Sequence, residues 1–176
     1  LMLCSASGLS ARQAGERLGF AEVTADEAAV ISDPRIKAVF VLTRHDQHAR
    51  QVALALSAGK HVFCEKPLAL NEEELVEVEA ALGGVAGGAP LLMVGFNRRF
   101  SPAARQVKSF FEGVAGPRTV SIRFNSGAIP PEHWTQVEEV GGGRIVGEAC
   151  HAIDLATFLT GAPPVRVFAE SVRGGA

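Results

Sequence analysis

The sequence predicts an α/β protein, with a partial Rossmann-like parallel sheet followed by part of an α+β domain with an antiparallel sheet. Two observations support this prediction. In the first part, short apolar runs alternate with helical segments, as they do when helices connect parallel strands. Beyond Gly116-Pro117, single apolar and polar residues alternate, which is typical of strands with one covered face. We therefore expect two units, over residues 1–97 and 98–176.

Five short strands are predicted in the first unit, at residues 1–5, 22–24, 36–42, 62–64 and 91–95. The third, 36–42, is nearly all apolar, so we expect it to be buried on both faces. Helices are predicted between the strands, one at 49–58 and others with Ser10, Asp26 and Asn71 as N-caps. The glutamates after Asn71 suit the first turn of a helix, where the helix dipole favours negative charge.

The second unit is predicted to begin with a helix at residues 101–111. Alternating strands follow at 120–124 and 165–168, and a helix at 151–159 lies between them and ends at Gly161. This order predicts the antiparallel sheet, with helices on one of its faces.

The composition restricts the classes of function. The chain has 176 residues, 47% of them hydrophobic, and a formal net charge of −2 without a long run of one sign. This balance argues against a nucleic-acid surface, and no apolar run approaches the length of a membrane span. The three cysteines, Cys4, Cys64 and Cys150, lie far apart and lack metal-ligand spacing. We therefore expect a cytoplasmic protein that uses no metal, nucleic acid or membrane.

The most informative stretch is KHVFCEKP, residues 60–67. A short apolar strand ends there in Glu65, Lys66 and Pro67. Ligands of open α/β sheets bind beyond the carboxyl ends of the strands, so Lys66 is expected to point into a crevice and exchange a proton there. The alternative is an ordinary strand-to-helix turn with a solvated ion pair. Pro67 permits a cis peptide bond, which we expect after Lys66.

Three further motifs accompany this stretch: TRHDQHA at 43–49, GFNRRF at 95–100 and GGGRIVGEACHAIDL at 141–155. Together the four resemble, in register along the whole chain, the Gfo/Idh/MocA family of nicotinamide-dependent oxidoreductases. Residues 126–151 resemble most closely the subgroup fused behind a zinc-alcohol-dehydrogenase-like domain. The resemblance implies a partial dinucleotide-binding domain over 1–97 and a partial C-terminal substrate-binding domain over 98–176.

The resemblance also implies an activity, hydride transfer between NAD or NADP and a carbohydrate-type alcohol or ketone. Lys66 would be the catalytic lysine, hydrogen-bonded to the reacting oxygen of a sugar-like substrate and held in part by Glu65. A positioned ammonium stabilises negative charge that develops on such an oxygen.

His151 is the second candidate for catalysis, because a neutral imidazole passes protons at neutral pH. Asp154 shares a helix face with His151 and is expected to orient it; the alternative is a histidine at a helix start with a dipole-favoured aspartate. The family often has aspartate at the position of Gly147, with Glu148 beside it here. Either Glu148 takes over the orienting role, or the acid-base pair differs.

By resemblance, Thr43, His45 and His48 lie beside the nicotinamide and its ribose, although His48 alternatively caps the next helix. One of Arg98 and Arg99 is expected to face the cofactor or the substrate, and Arg98 is our candidate.

The turn after the first strand bears on the choice of coenzyme. It contains small hydroxyl residues, Ser7 among them, and no carboxylate, with Arg12 close behind. Such a turn tolerates a 2′-phosphate, which favours NADP slightly over NAD.

In the second unit, Trp134 either forms a wall of the substrate pocket or anchors its loop.

No G-x-G-x-x-G fingerprint occurs in the sequence, although the dinucleotide fold places one after a central first strand. We therefore expect a fragment without that strand and loop and without the C-terminal end, inactive by itself. In the full-length protein we expect a homo-oligomer formed through the C-terminal sheet. The alternative functions are an NAD-dependent glycosidase of the same family and a dinucleotide-binding sensor, and the presence of Lys66 and His151 argues against the sensor.

Overall fold

A computed structural model of the protein describes residues 1–84, 88, 90–125 and 127–170. Parts of the predicted glycine-rich break at 83–90 and the last six residues lie outside this description. The strands are β1 (Met2–Cys4), β2 (Glu22–Thr24), β3 (Ala38–Val41), β4 (His61–Cys64) and β5 (Leu92–Val94). The helices are α1 (Gly8–Leu18), α2 (Glu27–Ser32), α3 (His48–Ser57), α4 (Glu72–Gly83), α5 (Pro102–Phe110), α6 (Glu138–Gly141) and α7 (Cys150–Thr160).

The strands form two parallel sheets, which confirms the predicted α/β fold with a Rossmann-like parallel arrangement. In the first sheet β1 pairs with β2, and in the second the order is β3-β4-β5. Cys64 of β4 lies opposite Val41 of β3 and Val94 of β5. Because the strands are parallel, the turns that carry Thr43, Lys66 and Asn97 leave the second sheet at one edge.

The main core lies around the second sheet and α3 and α4. It contains Val41, Val62 and Cys64 from the strands, together with side chains of α3 and Val78 of α4. The periodicity of α3 explains its place, since Ala49, Val52, Ala53, Ala55, Leu56 and His48 form its buried face. At the start of α4, Asn71 accepts a hydrogen bond from the backbone of Glu74, as predicted.

The prediction that the third strand is buried on both faces is wrong. Val41 is buried, but the side chain of Phe40 is 67% exposed. Among the described strands β3 pairs only with β4, and a cavity of about 760 Å³ lies between its other side and the end of β1. Leu42, in the lining of this cavity, is exposed for the same reason.

The predicted strands of the second unit do not form either. Residues 120–124 and 165–168 have no regular structure, and the side chains of Val167 and Phe168 are more than four-fifths exposed. A strand needs a neighbour for its backbone N–H and C=O groups, and no described segment pairs with these two. The unit is held instead by helices, with Lys108 of α5 donating to the Phe158 carbonyl of α7 at 2.8 Å.

Several helix starts differ from the prediction, most of them by one residue. Ser7 rather than Ser10 is the N-cap of α1, because the chain enters the helix at Gly8 and the Ser7 hydroxyl accepts from the Ser10 amide. The last helix, α7, begins at Cys150 and is preceded by a π-helical turn, Ile145–Ala149. None of the helices in the described part of the chain is long and apolar enough to cross a membrane.

Candidate active site

Lys66 lies just beyond the carboxyl end of β4 and faces the π-helical turn Ile145–Ala149. Its side chain is 15% exposed, and the bond to Pro67 is cis, as predicted. The ammonium Nζ donates to the Gly147 carbonyl oxygen at 2.6 Å and lies 3.4 Å from Oε2 of Glu148. The turn after β4 therefore supplies the ammonium, and the π-helical turn supplies the groups that receive its hydrogen bonds.

Glu148 lies between two cations. Its Oε2 faces Lys66, and its Oε1 accepts from the Arg98 guanidinium at 3.1 Å. Burial acts to raise the pKa of Glu148, but Lys66, His151 and Arg98 outweigh it, so this pKa is lowered and the group is a carboxylate at neutral pH. Glu148 belongs to the π-helical turn, a feature that often occurs at functional sites.

His151 is 5% exposed and lies one residue inside α7. Burial lowers its pKa, and the positive charges of Lys66 and Arg98 lower it further. Its ring is therefore neutral at neutral pH. Its buried Nδ1 has no hydrogen-bond partner among the described residues.

Asp154 is buried on α7, as its spacing from His151 predicts, but its carboxylate is engaged elsewhere. Both of its oxygens contact the guanidinium of Arg99, one of them from Nε at 3.0 Å. Arg99 belongs to the 3₁₀ turn Asn97–Phe100, which follows β5. This turn brings the planar guanidinium group of Arg99 to α7. Asp154 therefore links α7 to the end of β5 and makes no hydrogen bond to His151 in this structure.

Glu65 holds the backbone beside Lys66 rather than its ammonium. Its Oε2 accepts from the Lys66 backbone amide at 3.3 Å. Gly95 leaves the space for this carboxylate, because a Cβ there would lie 3.1 Å from Oε2. Close packing against Glu65 thus explains why the first residue of the GFNRRF motif is glycine.

His48 connects the turn after β3 to the turn after Lys66. It is fully buried, and its ring nitrogens lie 2.7 Å from the Pro67 carbonyl oxygen and 3.0 Å from the Thr43 carbonyl oxygen. Thr43 itself donates its hydroxyl to Gln51 of α3 at 2.7 Å. The contacts of His48 are therefore with backbone that flanks the site.

His45 follows β3 and reaches the second unit. It is 8% exposed, and its Nδ1 lies 2.8 Å from the Gly141 carbonyl oxygen. Trp134 approaches the imidazole edge-on, with ring centroids 4.9 Å apart, and the Arg44 guanidinium lies 5.5 Å from the centre of the Trp134 ring. These contacts fasten the 3₁₀ turn Trp134–Gln136 to the first unit.

The cavity between β1 and β3 suits one side of a dinucleotide site, because it opens at the carboxyl ends of strands in two different sheets. Its lining includes Ser5, Ala6, Thr43 and Arg44. The glycine fingerprint for the pyrophosphate is absent from the 176 residues. Ser7 is the N-cap of the neighbouring helix α1 and Arg12 lies within it, and neither residue lines the cavity.

No cluster of three or more histidine, cysteine, aspartate or glutamate side chains in the described ranges is arranged to hold a metal ion. Burial raises the pKa of the Cys64 thiol to about 12, so this cysteine packs in the core as a neutral side chain.

Sequence reasoning missed two features of the site. It named Arg98 as the candidate and gave no role to Arg99. In the structure Arg98 meets Glu148 and Arg99 meets Asp154, because successive residues of a 3₁₀ turn point in different directions. It also gave no role to Gly141, whose carbonyl accepts from His45. A signal for Gly141 was present in the run of three glycines, which permits close backbone approach.

Two models of known protein families match the chain. The family model described as "Oxidoreductase family, NAD-binding Rossmann fold" (GFO_IDH_MocA) matches residues 2–84. The model described as "GFO/IDH/MocA C-terminal domain" matches residues 112–175. The two matches come in the family's order and together cover most of the chain.

Curated relatives and solved structures agree as well. The chain is 32% identical to the myo-inositol 2-dehydrogenase of Thermotoga maritima over 161 residues, covering 90% of this chain and 46% of that protein. It is 34% identical to the levoglucosan dehydrogenase of Pseudarthrobacter phenanthrenivorans over 158 residues, which are 86% of this chain and 40% of that protein. A levoglucosan dehydrogenase in complex with NADH and levoglucosan superposes with a TM-score of 0.77 at 31% identity, covering 91% of this chain and 45% of that one. The chain thus spans less than half the length of these relatives, and it belongs to the Gfo/Idh/MocA family of oxidoreductases.

Proposed function

We propose that the protein acts as an NAD(P)-dependent dehydrogenase that moves hydride between nicotinamide and a carbohydrate-type alcohol or ketone. The observation that carries this proposal is the meeting of Lys66, Glu148 and a neutral, buried His151 beyond the end of β4. The similarity to an inositol and a levoglucosan dehydrogenase supports a sugar-like or polyol substrate.

Lys66 stabilises the reacting oxygen. An ammonium has three N–H donors, and here one is directed to the Gly147 carbonyl and a second faces Glu148. The third is free for a substrate hydroxyl or carbonyl oxygen, where negative charge develops in the transition state. The bound nicotinamide supplies the hydride chemistry.

His151 accepts the proton of the substrate hydroxyl, and Glu148 holds Lys66 in position. When an alcohol is oxidised, its hydroxyl proton must leave as the hydride leaves carbon, and a neutral imidazole is a suitable acceptor. Glu148 is a carboxylate held between Lys66 and Arg98, so it fixes the position of the lysine and balances its charge. We assign to Glu148 the role that the family often gives to the aspartate at position 147.

Several finer assignments belong to this proposal. Thr43 contributes to the nicotinamide side through the cavity, whereas His45 and His48 contribute by positioning backbone. The chain divides near residue 97 into a dinucleotide-binding and a substrate-binding part, with its parallel strands all before that point. We place the glycine-rich pyrophosphate loop outside these 176 residues, which the open sides of β1 and β3 support.

The wider setting is also part of the proposal. The similarity of residues 126–151 supports membership of the branch fused to a zinc-alcohol-dehydrogenase-like domain.

The exposed apolar side chains of Val165, Val167 and Phe168 suit an oligomer contact in the second unit. Three unpaired cysteines suit a reducing cytoplasm. For the coenzyme, NADP is slightly favoured by the Ser7 turn and Arg12.

The test is an assay of the full-length protein with NAD⁺ and with NADP⁺ against a panel of inositols, aldoses, ketoses and anhydrosugars. We expect reduced nicotinamide to form with at least one polyhydric alcohol, at a rate that Glu148→Gln lowers. Saturable dinucleotide binding without turnover on any member of the panel would identify a sensor and overturn the proposal. Sugar release without net change of the coenzyme would identify a glycosidase.

A further inference from the structure

We propose that His45 is a positioning residue for Lys66 and acts through two glycines, Gly141 and Gly147. This inference rests on the proposed role of Lys66. His45 fixes the Gly141 carbonyl, the Gly141 backbone packs on Gly147, and the Gly147 carbonyl orients the lysine ammonium. Each of these three contacts is a separate observation.

The first contact fixes the tautomer of His45. A carbonyl oxygen only accepts hydrogen bonds, so the 2.8 Å contact with Gly141 requires the proton on Nδ1. The imidazole is nearly inaccessible to water, and the Trp134 ring edge covers it. Since the side chain is held from two directions, it fixes the Gly141 carbonyl in one place.

The second contact is a stack of backbone segments without intervening side chains. A Cβ at Gly147 would lie 2.7 Å from the Gly141 carbonyl oxygen and 3.4 Å from Cε1 of His45. A Cβ at Gly141 would lie 2.5 Å from Cα of Thr135 and 2.6 Å from the Trp134 carbonyl oxygen. Glycine is therefore required twice, and the segment 134–135, Gly141 and Gly147 pack in that order.

The third contact joins the packed Gly147 backbone to the Lys66 ammonium. The Gly147 carbonyl lies 2.6 Å from Nζ of Lys66, closer than the Glu148 carboxylate at 3.4 Å. A flexible lysine side chain carries several rotatable bonds, so a fixed acceptor selects one direction for its remaining donors. His45 thereby sets where Lys66 points without touching the reacting atoms.

The charge state of His45 suits this role. Burial lowers its pKa, the bond to Gly141 opposes that effect, and the positive charge of Lys66 lowers the pKa further. The groups that face His45 are Lys66, His48 and Asp46, together with the Trp134 ring and the Gly141 carbonyl. A neutral His45 ring in the Nδ1–H tautomer therefore adds no positive charge beside the Lys66 ammonium.

The test compares His45→Asn with His45→Leu. The amide Nδ2–H of asparagine occupies nearly the place of imidazole Nδ1–H, whereas leucine fills space without donating. We measure how fast an amine-selective reagent labels Lys66 relative to exposed Lys37, using peptide mass spectrometry on protein shown by circular dichroism to be folded. We expect His45→Leu to raise this ratio about fivefold, as for one lost hydrogen bond, and His45→Asn to leave it within about twofold.

This readout needs no turnover, so it separates failure of the inference from failure of the proposed dehydrogenase activity. An unchanged labelling ratio in folded His45→Leu would overturn the inference. If that variant does not fold, long-range ¹H–¹⁵N correlation of the wild-type imidazole decides, since the inference requires the Nδ1–H tautomer and the Nε2–H tautomer contradicts it. Where turnover is present, His45→Leu should lower kcat more than it raises KM, and His45→Asn should restore it.

Discussion

The Lys66 ammonium lies 2.6 Å from the Gly147 carbonyl oxygen, across 81 positions of sequence. Position 147 is where the family often carries an aspartate. In this chain the backbone oxygen takes the contact with the lysine, and the neighbouring Glu148 supplies the negative charge at 3.4 Å. The site therefore keeps an acceptor and a charge beside the lysine while distributing them over two residues.

The first prediction concerns the coupling of Lys66 and His151. Because the positive charges of Lys66 and Arg98 lower the pKa of His151, removing either charge should raise it. Lys66→Met should raise it more than Arg98→Met. NMR titration of the His151 ring measures this shift, and Arg105→Met, which removes an exposed arginine stacked on Phe100, serves as the matched control. An unchanged His151 pKa in Lys66→Met would place the two groups farther apart than the structure does.

The second prediction concerns stability in acid. The pKa values of His45 and His151 are both lowered from 6.5 in the folded protein, so the unfolded chain binds more protons just below that pH. Their contribution to stability is complete above pH 6.5 and is lost as the pH falls through the folded values. Glu148, lowered from 4.5, adds a further loss below its unfolded pKa. Thermal melts between pH 8 and 4 should show this decline, and His45→Asn should reduce it; melting temperatures that rise on acidification would contradict the assignment.

The third prediction concerns position 147. Gly147→Asp, which introduces the residue common in the family, places a Cβ against the Gly141 carbonyl and should destabilise the protein by about 1–3 kcal/mol. Gly83→Ala is the control, because nothing lies within 4 Å of a Cβ there. Chemical denaturation compares the two. Equal stability of Gly147→Asp and the parent would contradict this prediction, because it would show that the backbone around Gly141 and Gly147 adjusts to the added side chain at little cost.

The contrast between prediction and structure follows from the range of the interactions. Asp26, Asn71 and the strand before Lys66 were predictable, because capping and apolar runs are local in sequence. The bond of His45 to Gly141 and the pairing of Asp154 with Arg99 join residues 96 and 55 positions apart, and no local pattern specifies them. Residues 120–124 alternate as a strand does, yet alternation describes a surface that needs a partner, and the described chain provides none.

The fourth prediction concerns the coenzyme. Arg12 is exposed on α1, and the turn capped by Ser7 carries no carboxylate to hold a ribose 2′-hydroxyl. In the full-length protein we expect slightly tighter binding of NADP than of NAD, and Arg12→Ala should remove the difference by weakening NADP alone. Paired titrations measure both affinities. A clear preference for NAD that Arg12→Ala leaves unchanged would remove the basis for this expectation.

The account depends most on Lys66 as the group that stabilises the reacting oxygen. The most direct measurement is turnover of Lys66→Met in the full-length protein, beside its dinucleotide affinity and with exposed Lys37→Met as the control. We predict that Lys66→Met keeps dinucleotide affinity and loses at least about 10²-fold in turnover, the lower range for a lost acid-base group, while Lys37→Met retains both. Turnover of Lys66→Met close to that of the parent would contradict the account and leave this lysine a structural role only.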